Sequence, residues 1–329
     1  MENRRPRSFF WPILLIGIGI LWLLSNMGFI SGVTFGTIFR FWPLILIVIG
    51  LDLIVGRFSG ILSAVIAILA VLILAALLVA APSLGLHSSA NANVETFSAP
   101  LAEAEFAEVT LDLSSYATTI KTVQNQNSLF DAEIGYYGEM RFTDSGTTNR
   151  RIRLEHYSSP DSWFNINFDQ LALRWDIGLN PDVPTDLFVD GGSGSINMDL
   201  SKMALTALTY DGGSGSMDMS LPTSADGYTA SLDTGSGSVR VRISGSQNLT
   251  LELDGGSGST NITLPANTAV RIEALDDGSG SLRVPTGLDQ IEFGDDRDEG
   301  VWQSDGFEAA EYQIIIRIKD AGSGSITIR

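Results

Sequence analysis

The 329-residue chain has no cysteine and only two histidines. The first absence removes disulfides, thiol catalysis and zinc thiolate sites, and it leaves the redox compartment open. The second leaves little from which to build a general base, because neither His87 nor His156 has a sequence neighbour that would complete a Ser-His-Asp arrangement. Positive charge is scarce as well, with 20 Lys and Arg against 38 Asp and Glu. The deficit lies behind residue 82. The front holds five basic and two acidic side chains, so the remainder carries 15 against 36, a formal charge of about −21. Such a field repels nucleic acid and anionic lipid headgroups and favours cations or basic partners. No phosphate-binding Walker loop is present.

What the front has instead is apolar length, which lifts the mean hydropathy to +0.19. Three runs stand out, Phe9 to Met27, Phe41 to Val55 and Ile61 to Ala81, the last being 21 residues without a charge. They predict three transmembrane helices over about 9–27, 39–56 and 60–81 within a membrane region 1–82. The first two runs repeat each other at an offset of 31, with Phe10-Trp11-Pro12 matching Phe41-Trp42-Pro43 and Gly19 matching Gly50. That is a duplicated hairpin unit with aromatic residues at the interface. A cleaved signal peptide is the weaker reading of the first run, since no small-x-small site follows it. Arg4, Arg5 and Arg7 precede the first run and Arg57 lies between the second and third, which predicts a cytoplasmic N-terminus and a C-terminal domain outside; Arg40 opposes this mildly. Asp52, the one acid within the apolar runs, reads as an interfacial carboxylate.

Residues 83–98 read as a linker, and from 99 to 329 the chain reads as one all-β domain. Gly-Ser-Gly-Ser recurs there, beginning at Gly192, Gly213, Gly235, Gly256, Gly278 and Gly322, in steps of 21, 22, 21, 22 and 44. Each copy sits between short runs of alternating hydrophobicity, such as Val239-Arg240-Val241 after one corner and Leu251-Glu252-Leu253 before the next. This predicts a β-solenoid with coils of 21 to 22 residues, two strands and two turns per coil, and columns of glycine and serine at the corners. The double step reads as one degenerate coil over 285–312, with Asp298-Glu299-Gly300 holding the register and seven registers filled. Strands at Glu108 to Leu113, Leu129-Phe130, Arg151 to Leu154 and Leu173 to Trp175 read as its irregular first part.

Two residues before each corner stands an aspartate: Asp190, Asp211, Asp233, Asp254, Asp276 and Asp320. Stacked about 4.8 Å apart, these carboxylates either use turn bonds and solvent or hold cations weakly along an edge. They are the candidate cation-facing ladder. Gly191-Gly192-Ser193-Gly194-Ser195 begins like a calcium-binding nonapeptide, but Ile196 stands where that motif needs Asp. The serines do not make a Gly-x-Ser-x-Gly nucleophile elbow at any copy. No catalytic residue, cofactor or dedicated metal set is expected.

The Phe-Trp-Pro hairpins, with Phe41-Trp42-Pro43-Leu44-Ile45-Leu46-Ile47-Val48-Ile49-Gly50-Leu51, resemble the N-terminal transmembrane region of LiaI/LiaF-type bacterial envelope-stress proteins. Trp175 to Pro181, Val183 to Leu187 and the Gly-Ser repeats resemble the toastrack, or "putative adhesin", β-solenoid domain that those proteins carry. The resemblance implies a multi-pass bacterial cell-membrane protein that works through a protein partner such as a sensor kinase. The alternative expectation is an adhesin-like scaffold binding envelope polymer. Homo-oligomers are compatible with open solenoid edges.

Overall fold

The computed structural model describes residues 10–26, 42–55, 60–80, 93–113, 115–157, 173–222, 226–245, 248–275, 278–294 and 299–329. Two compact units divide near residue 91. The front unit holds three helices, α1 (Phe10–Asn26), α2 (Trp42–Val55) and α3 (Gly60–Ala80). Pro12 and Pro43 fall in the first turns of α1 and α2, where a missing N–H costs nothing. Gly17 on α1 gives room to Val71 on α3, and Leu14, Val48, Ala67 and Ala70 form a small shared core. Small residues let the helices approach closely. Taken on the described residues alone, no helix is long and apolar enough to cross a membrane. The 21-residue α3 comes nearest in backbone length.

The β-domain starts earlier than the sequence suggests, because residues 93–98 of the expected linker belong to β1 (Asn93–Pro100). Then come β2 (Phe106–Asp112), β3 (Ala117–Thr122), β4 (Ser128–Tyr136), β5 (Glu139–Ser145), β6 (Asn149–Tyr157) and β7 (Arg174–Leu179). The repeat region supplies β8 (Thr185–Asp190), β9 (Ile196–Asp199), β10 (Leu205–Asp211), β11 (Met217–Leu221), β12 (Tyr228–Asp233), β13 (Ser238–Ile243), β14 (Leu249–Asp254) and β15 (Ser259–Thr263). The tail adds β16 (Ala269–Ala274), β17 (Ser281–Arg283), β18 (Asp289–Phe293), β19 (Gly300–Gln303), a single 3-10 turn at Phe307–Ala309, β20 (Gln313–Asp320) and β21 (Ser325–Ile328).

These strands form two sheets, one of ten strands in the order β1-β4-β7-β3-β9-β11-β13-β15-β21-β17 and one of eleven in the order β18-β19-β16-β20-β14-β12-β10-β8-β2-β6-β5. We name them sheet A and sheet B. From β8 to β15 the chain alternates between sheets at every corner, and each strand pairs in parallel with the one a repeat later, as Met217 does with Val239 and Tyr210 with Leu232. One strand in each sheet makes a rung. Alternation sends every second side chain into the space between the sheets, where Leu208, Met219, Val241, Leu251 and Ile262 are buried. Each such side chain contributes about 1.5–3 kcal/mol by leaving water. One continuous apolar cluster runs the length of the stack.

Two features overturn the expected simple winding. The C-terminal strands do not follow the others. β20 lies between β14 and β16, and β21 lies between β15 and β17, so the last rung in sequence is wedged inside the stack. Likewise β2 sits between β6 and β8, and β3 between β7 and β9. Eight parallel rungs result, in the spatial order β6/β7, β2/β3, β8/β9, β10/β11, β12/β13, β14/β15, β20/β21, β16/β17. The expected degenerate coil over 285–312 is no coil. Gly300 starts β19, which runs antiparallel to β16 and to β18 and closes the end of sheet B. The step of 44 arises because the chain makes this cap before returning to the stack. Asp298 lies outside the described residues.

Candidate functional site

Successive corners are tied to one another through their backbones. Ser214 N donates to Gly192 O (3.1 Å), Ser236 N to Gly213 O (2.9 Å), Ser257 N to Gly235 O (3.0 Å), Ser323 N to Gly256 O (3.1 Å) and Ser279 N to Gly322 O (2.9 Å). The ladder of hydrogen bonds therefore continues around the turn. A Cβ on Gly213 would collide with Gly192 O, one on Gly256 with Gly235 O, and in the second column one on Gly237 with Gly215 O. No side chain fits there, which is why the motif carries glycine at both positions. Serine hydroxyls line the outer edge of the same corner, with Ser216 Oγ donating to Ser195 Oγ at 3.2 Å and Ser259 Oγ to Ser238 Oγ at 3.4 Å.

The aspartates stack as the repeat predicts. Asp190 pairs in register with Asp211, Asp211 with Asp233, Asp233 with Asp254, and Asp254 with Asp320. Asp276 lies outside the described residues. One member was not foreseen, since Asp112 pairs with Asp190 and extends the column to the rung of β2. The signal was there in Thr110-Leu111-Asp112, an aspartate closing an alternating strand as in Leu208-Thr209-Tyr210-Asp211, but no glycine follows it.

Chemically the column is a set of turn anchors. Gly192 N donates to Asp190 Oδ1 (3.4 Å), Gly235 N to Asp233 Oδ1 (3.1 Å) and Gly322 N to Asp320 Oδ1 (2.6 Å), the Asx geometry that stabilises a tight turn. Mutual repulsion is felt in the middle. Burial, then Asp190 and Asp233 on either side, push the Asp211 carboxyl above its usual range. The neighbouring Tyr210 phenol is pushed up to about 12, first by burial and then by Asp211, Asp190 and Asp233. Among the described residues no group of three His, Asp or Glu side chains is placed to hold a metal ion.

His156 sits at the other end of the stack, on β6. Its ring meets Tyr116 edge-on at 5.3 Å and Trp175 at 6.1 Å, and its Nε2 lies 2.6 Å from Tyr137 O. Trp175 in turn stacks on Tyr116 at 5.6 Å and donates from Nε1 to Gly135 O. The environment is aromatic packing, with no serine or carboxylate set against the imidazole among the described residues. His87 lies outside them. Asp52 is on α2, half-buried.

The outer faces differ. Sheet B carries the aspartate column together with Glu108, Asp186, Glu252 and Glu273, several of them in cross-strand pairs such as Arg317 Nε to Glu273 Oε2 at 2.8 Å and Lys319 Nζ to Glu252 Oε2 at 2.7 Å. Sheet A carries serines, threonines and asparagines along with Asp176, Asp199 and Asp218, and has Arg174, Arg240 and Arg283 exposed and outside any ion pair among the described residues. A shallow groove crosses five rungs of this face, from Arg174 over Thr119, Asn197, Ser216 and Asp218 to Arg240. Sequence reasoning gave the corners and the column but not this groove.

Residues 88–242 match the family model for the N-terminal domain of toast_rack, and residues 9–54 match the LiaI-LiaF-like transmembrane region. No curated protein matches the chain. Among solved structures it is similar to a "putative cell adhesion protein" from Clostridium sporogenes, at 19% identity over 72% of this chain and 99% of the other, with a TM-score of 0.49. A "putative adhesin" from Bacteroides fragilis shares 9% identity over 72% of this chain and 97% of its own, with a TM-score of 0.28. The chain thus joins a LiaI-LiaF-like transmembrane region to a toast_rack-type β-domain, as its Phe-Trp-Pro hairpins and Gly-Ser corners indicated.

Proposed function

We propose that this chain is a non-enzymatic, multi-pass protein of the bacterial cell membrane that senses or modulates envelope-stress signalling through protein contacts made by its β stack. The observation that carries the reading is the pairing of the two matched regions, a LiaI-LiaF-like transmembrane region followed by a toast_rack domain. In this reading the rungs form a β-solenoid, and α1, α2 and α3 are three spans. The 21 residues of α3 give about 30 Å of helix, the thickness of the hydrocarbon core. Arginine placement sets the N-terminus in the cytoplasm and the β-domain outside. The solid core and open faces suit a stack that binds by surface rather than by enclosing a substrate.

The deciding experiment is protease access to the β-domain in intact cells, spheroplasts and lysates. Cleavage in spheroplasts without lysis supports the orientation, and protection until lysis reverses it. Copurification with a sensor histidine kinase then tests the partner class, and no kinase recovered from cross-linked membranes under envelope stress counts against it.

A second reading, an adhesin-like scaffold for envelope polymer, is favoured by the groove on sheet A. Its floor of Thr119, Asn197 and Ser216 beside Asp218, with Arg174 and Arg240 at the two ends, suits a linear, hydroxyl-rich chain. Co-sedimentation with isolated wall material, lost in Arg174→Ala/Arg240→Ala, supports it.

A further inference from the structure

The sequence holds six Asp-Gly bonds, beginning at Asp190, Asp211, Asp226, Asp254, Asp277 and Asp305. A bond of this kind can rearrange without an enzyme, because glycine puts no side chain in the way of the reaction. The glycine amide nitrogen attacks Cγ of the protonated aspartate carboxyl, an N–Cγ bond forms, and the carboxyl hydroxyl leaves with the amide proton as water. Water then reopens the five-membered imide. Opening at the main-chain carbonyl leaves isoaspartate, with the backbone routed through the side chain and one carbon longer. The step needs no oxidant or cofactor, but it needs a glycine N–H that is not committed to a hydrogen bond.

Asp277 lies outside the described residues. The other five aspartates are all exposed, so access to water does not separate them. Their glycine amides do. At the corners Gly191 N donates to Asp211 O (2.7 Å), Gly212 N to Asp233 O (2.8 Å) and Gly255 N to Asp320 O (2.7 Å), each a bond to the neighbouring rung that attack on the carboxyl would break. Gly227 N and Gly306 N donate to nothing among the described residues, and both glycines lie between strands with a positive φ, +81° and +70°. We propose that Asp226-Gly227 and Asp305-Gly306 are sites of spontaneous isoaspartate formation in the folded protein, and that hydrogen bonds between rungs keep the corner Asp-Gly bonds inert.

Acidity alone ranks the sites differently. The raised Asp211 carboxyl keeps more of the reactive protonated form than an ordinary aspartate, yet its glycine amide is locked. At Asp305 the product also touches the fold. Ser304 N donates to Val270 O (2.9 Å), and the buried Phe307 donates from its N back to Ser304 O (3.3 Å), so an added backbone carbon lengthens the turn that ties them. The proposal does not depend on which partner or polymer the stack engages.

To test it, the full chain is held in detergent at mildly acidic pH and body temperature for weeks, folded and in denaturant. Isoaspartate is counted by methyl transfer from an isoaspartyl methyltransferase and located by electron-transfer fragmentation of the digested protein. In the folded chain isoaspartate should gather at residues 226 and 305 about tenfold or more faster than at 190, 211 and 254, where the ladder must first open locally. In denaturant the gap should close. Asp226→Glu and Asp305→Glu, both at exposed positions, should each remove the signal at that site alone, because glutamate does not close the five-membered ring. Equal rates at corners and turns in the folded chain overturn the proposal, whether both are fast or both inert. So does a gap that survives in denaturant, since it then belongs to the neighbouring residues and not to the ladder.

Discussion

Between Thr185 and Thr263 the chain and the stack run in the same order, one rung to a repeat, whereas at both ends they part company. Within it, β10/β11 and β12/β13 are each held by the rung before and the rung after them in sequence. A rung at an end would have one neighbour only, and an open parallel edge frays and recruits other strands. The first and last rungs in sequence lie one step in, covered by β6/β7 on one side and β16/β17 on the other. The middle is thus specified by backbone fit at the corners, and the ends by insertion and antiparallel caps.

The largest effect should come from cutting the tail. If the last rung were stacked last, deleting residues 313–329 would shorten the protein by one rung and leave the rest intact. Here the deletion removes the partner of both β14 and β16 and strips Ile314, Ile316 and Ile318, all fully buried, from the middle of the core. Loss of the cooperative melting transition and rapid proteolysis beyond residue 264 are expected. A truncated protein melting within a few degrees of the intact one would break the comparison.

In the regular part, Gly256→Ala tests whether the backbone corner sets the spacing. The new methyl lands on Gly235 O, a backbone atom that cannot step aside without opening the rung. A cost of about 3 kcal/mol or more is expected in chemical denaturation, at the upper end of overpacking effects. Leu264→Ala, beyond the corner and only partly buried, serves as the mild control.

At the N-terminal cap the tie is ionic. Arg150 is buried and donates from Nε and Nη2 to Asp144 and from Nη1 to Pro100 O at 3.3 Å, joining β6, β5 and the end of β1. Arg150→Met should cost about 2–3 kcal/mol, less than a fully buried pair because Asp144 keeps some contact with water. The exposed pair of Arg242 and Asp218 in the middle should be worth below about 1 kcal/mol by double-mutant cycle. Equal values for the two pairs would mean that the cap is no more dependent on side chains than the middle.

The corners were legible in the sequence because only glycine survives where one backbone crosses the carbonyl of the next, and that necessity recurs at all six Gly-Ser-Gly-Ser corners. Alternation gave the buried face for the same reason. The order of the rungs was not legible, since every parallel strand of this stack shows the same alternation whichever neighbour it takes. One hint did exist. Ile314-Ile315-Ile316-Arg317-Ile318 is among the most apolar strands of the domain, as suits a rung with neighbours on both sides. The antiparallel caps left no periodic trace, and Asp112 was hidden by the absence of a glycine corner behind it.

The smallest effect concerns the aspartate column, and its sign separates two carboxylates in the same stack. The Asp211 carboxyl is raised by burial and by its neighbours in the column, so its contribution to stability is present in full below the ordinary carboxylate range and is lost as pH rises through the raised value. Asp199 is the reverse. The Ser201 hydroxyl at 2.6 Å and the Ser201 amide at 3.2 Å hold it low, so its contribution is present above the ordinary range and lost as pH falls through the lowered value. At pH 7 Asp211→Asn should therefore raise the melting temperature slightly and Asp199→Asn lower it, each within roughly 0.5 kcal/mol because both groups are largely in solvent. As the melts are repeated at falling pH, the Asp211→Asn difference should vanish first, and the Asp199→Asn difference only once pH has fallen through the lowered value of Asp199. Stabilisation by Asp211→Asn that grows with added salt, rather than shrinking, would rule out repulsion along the column as its cause, because screening weakens such a repulsion in the parent chain.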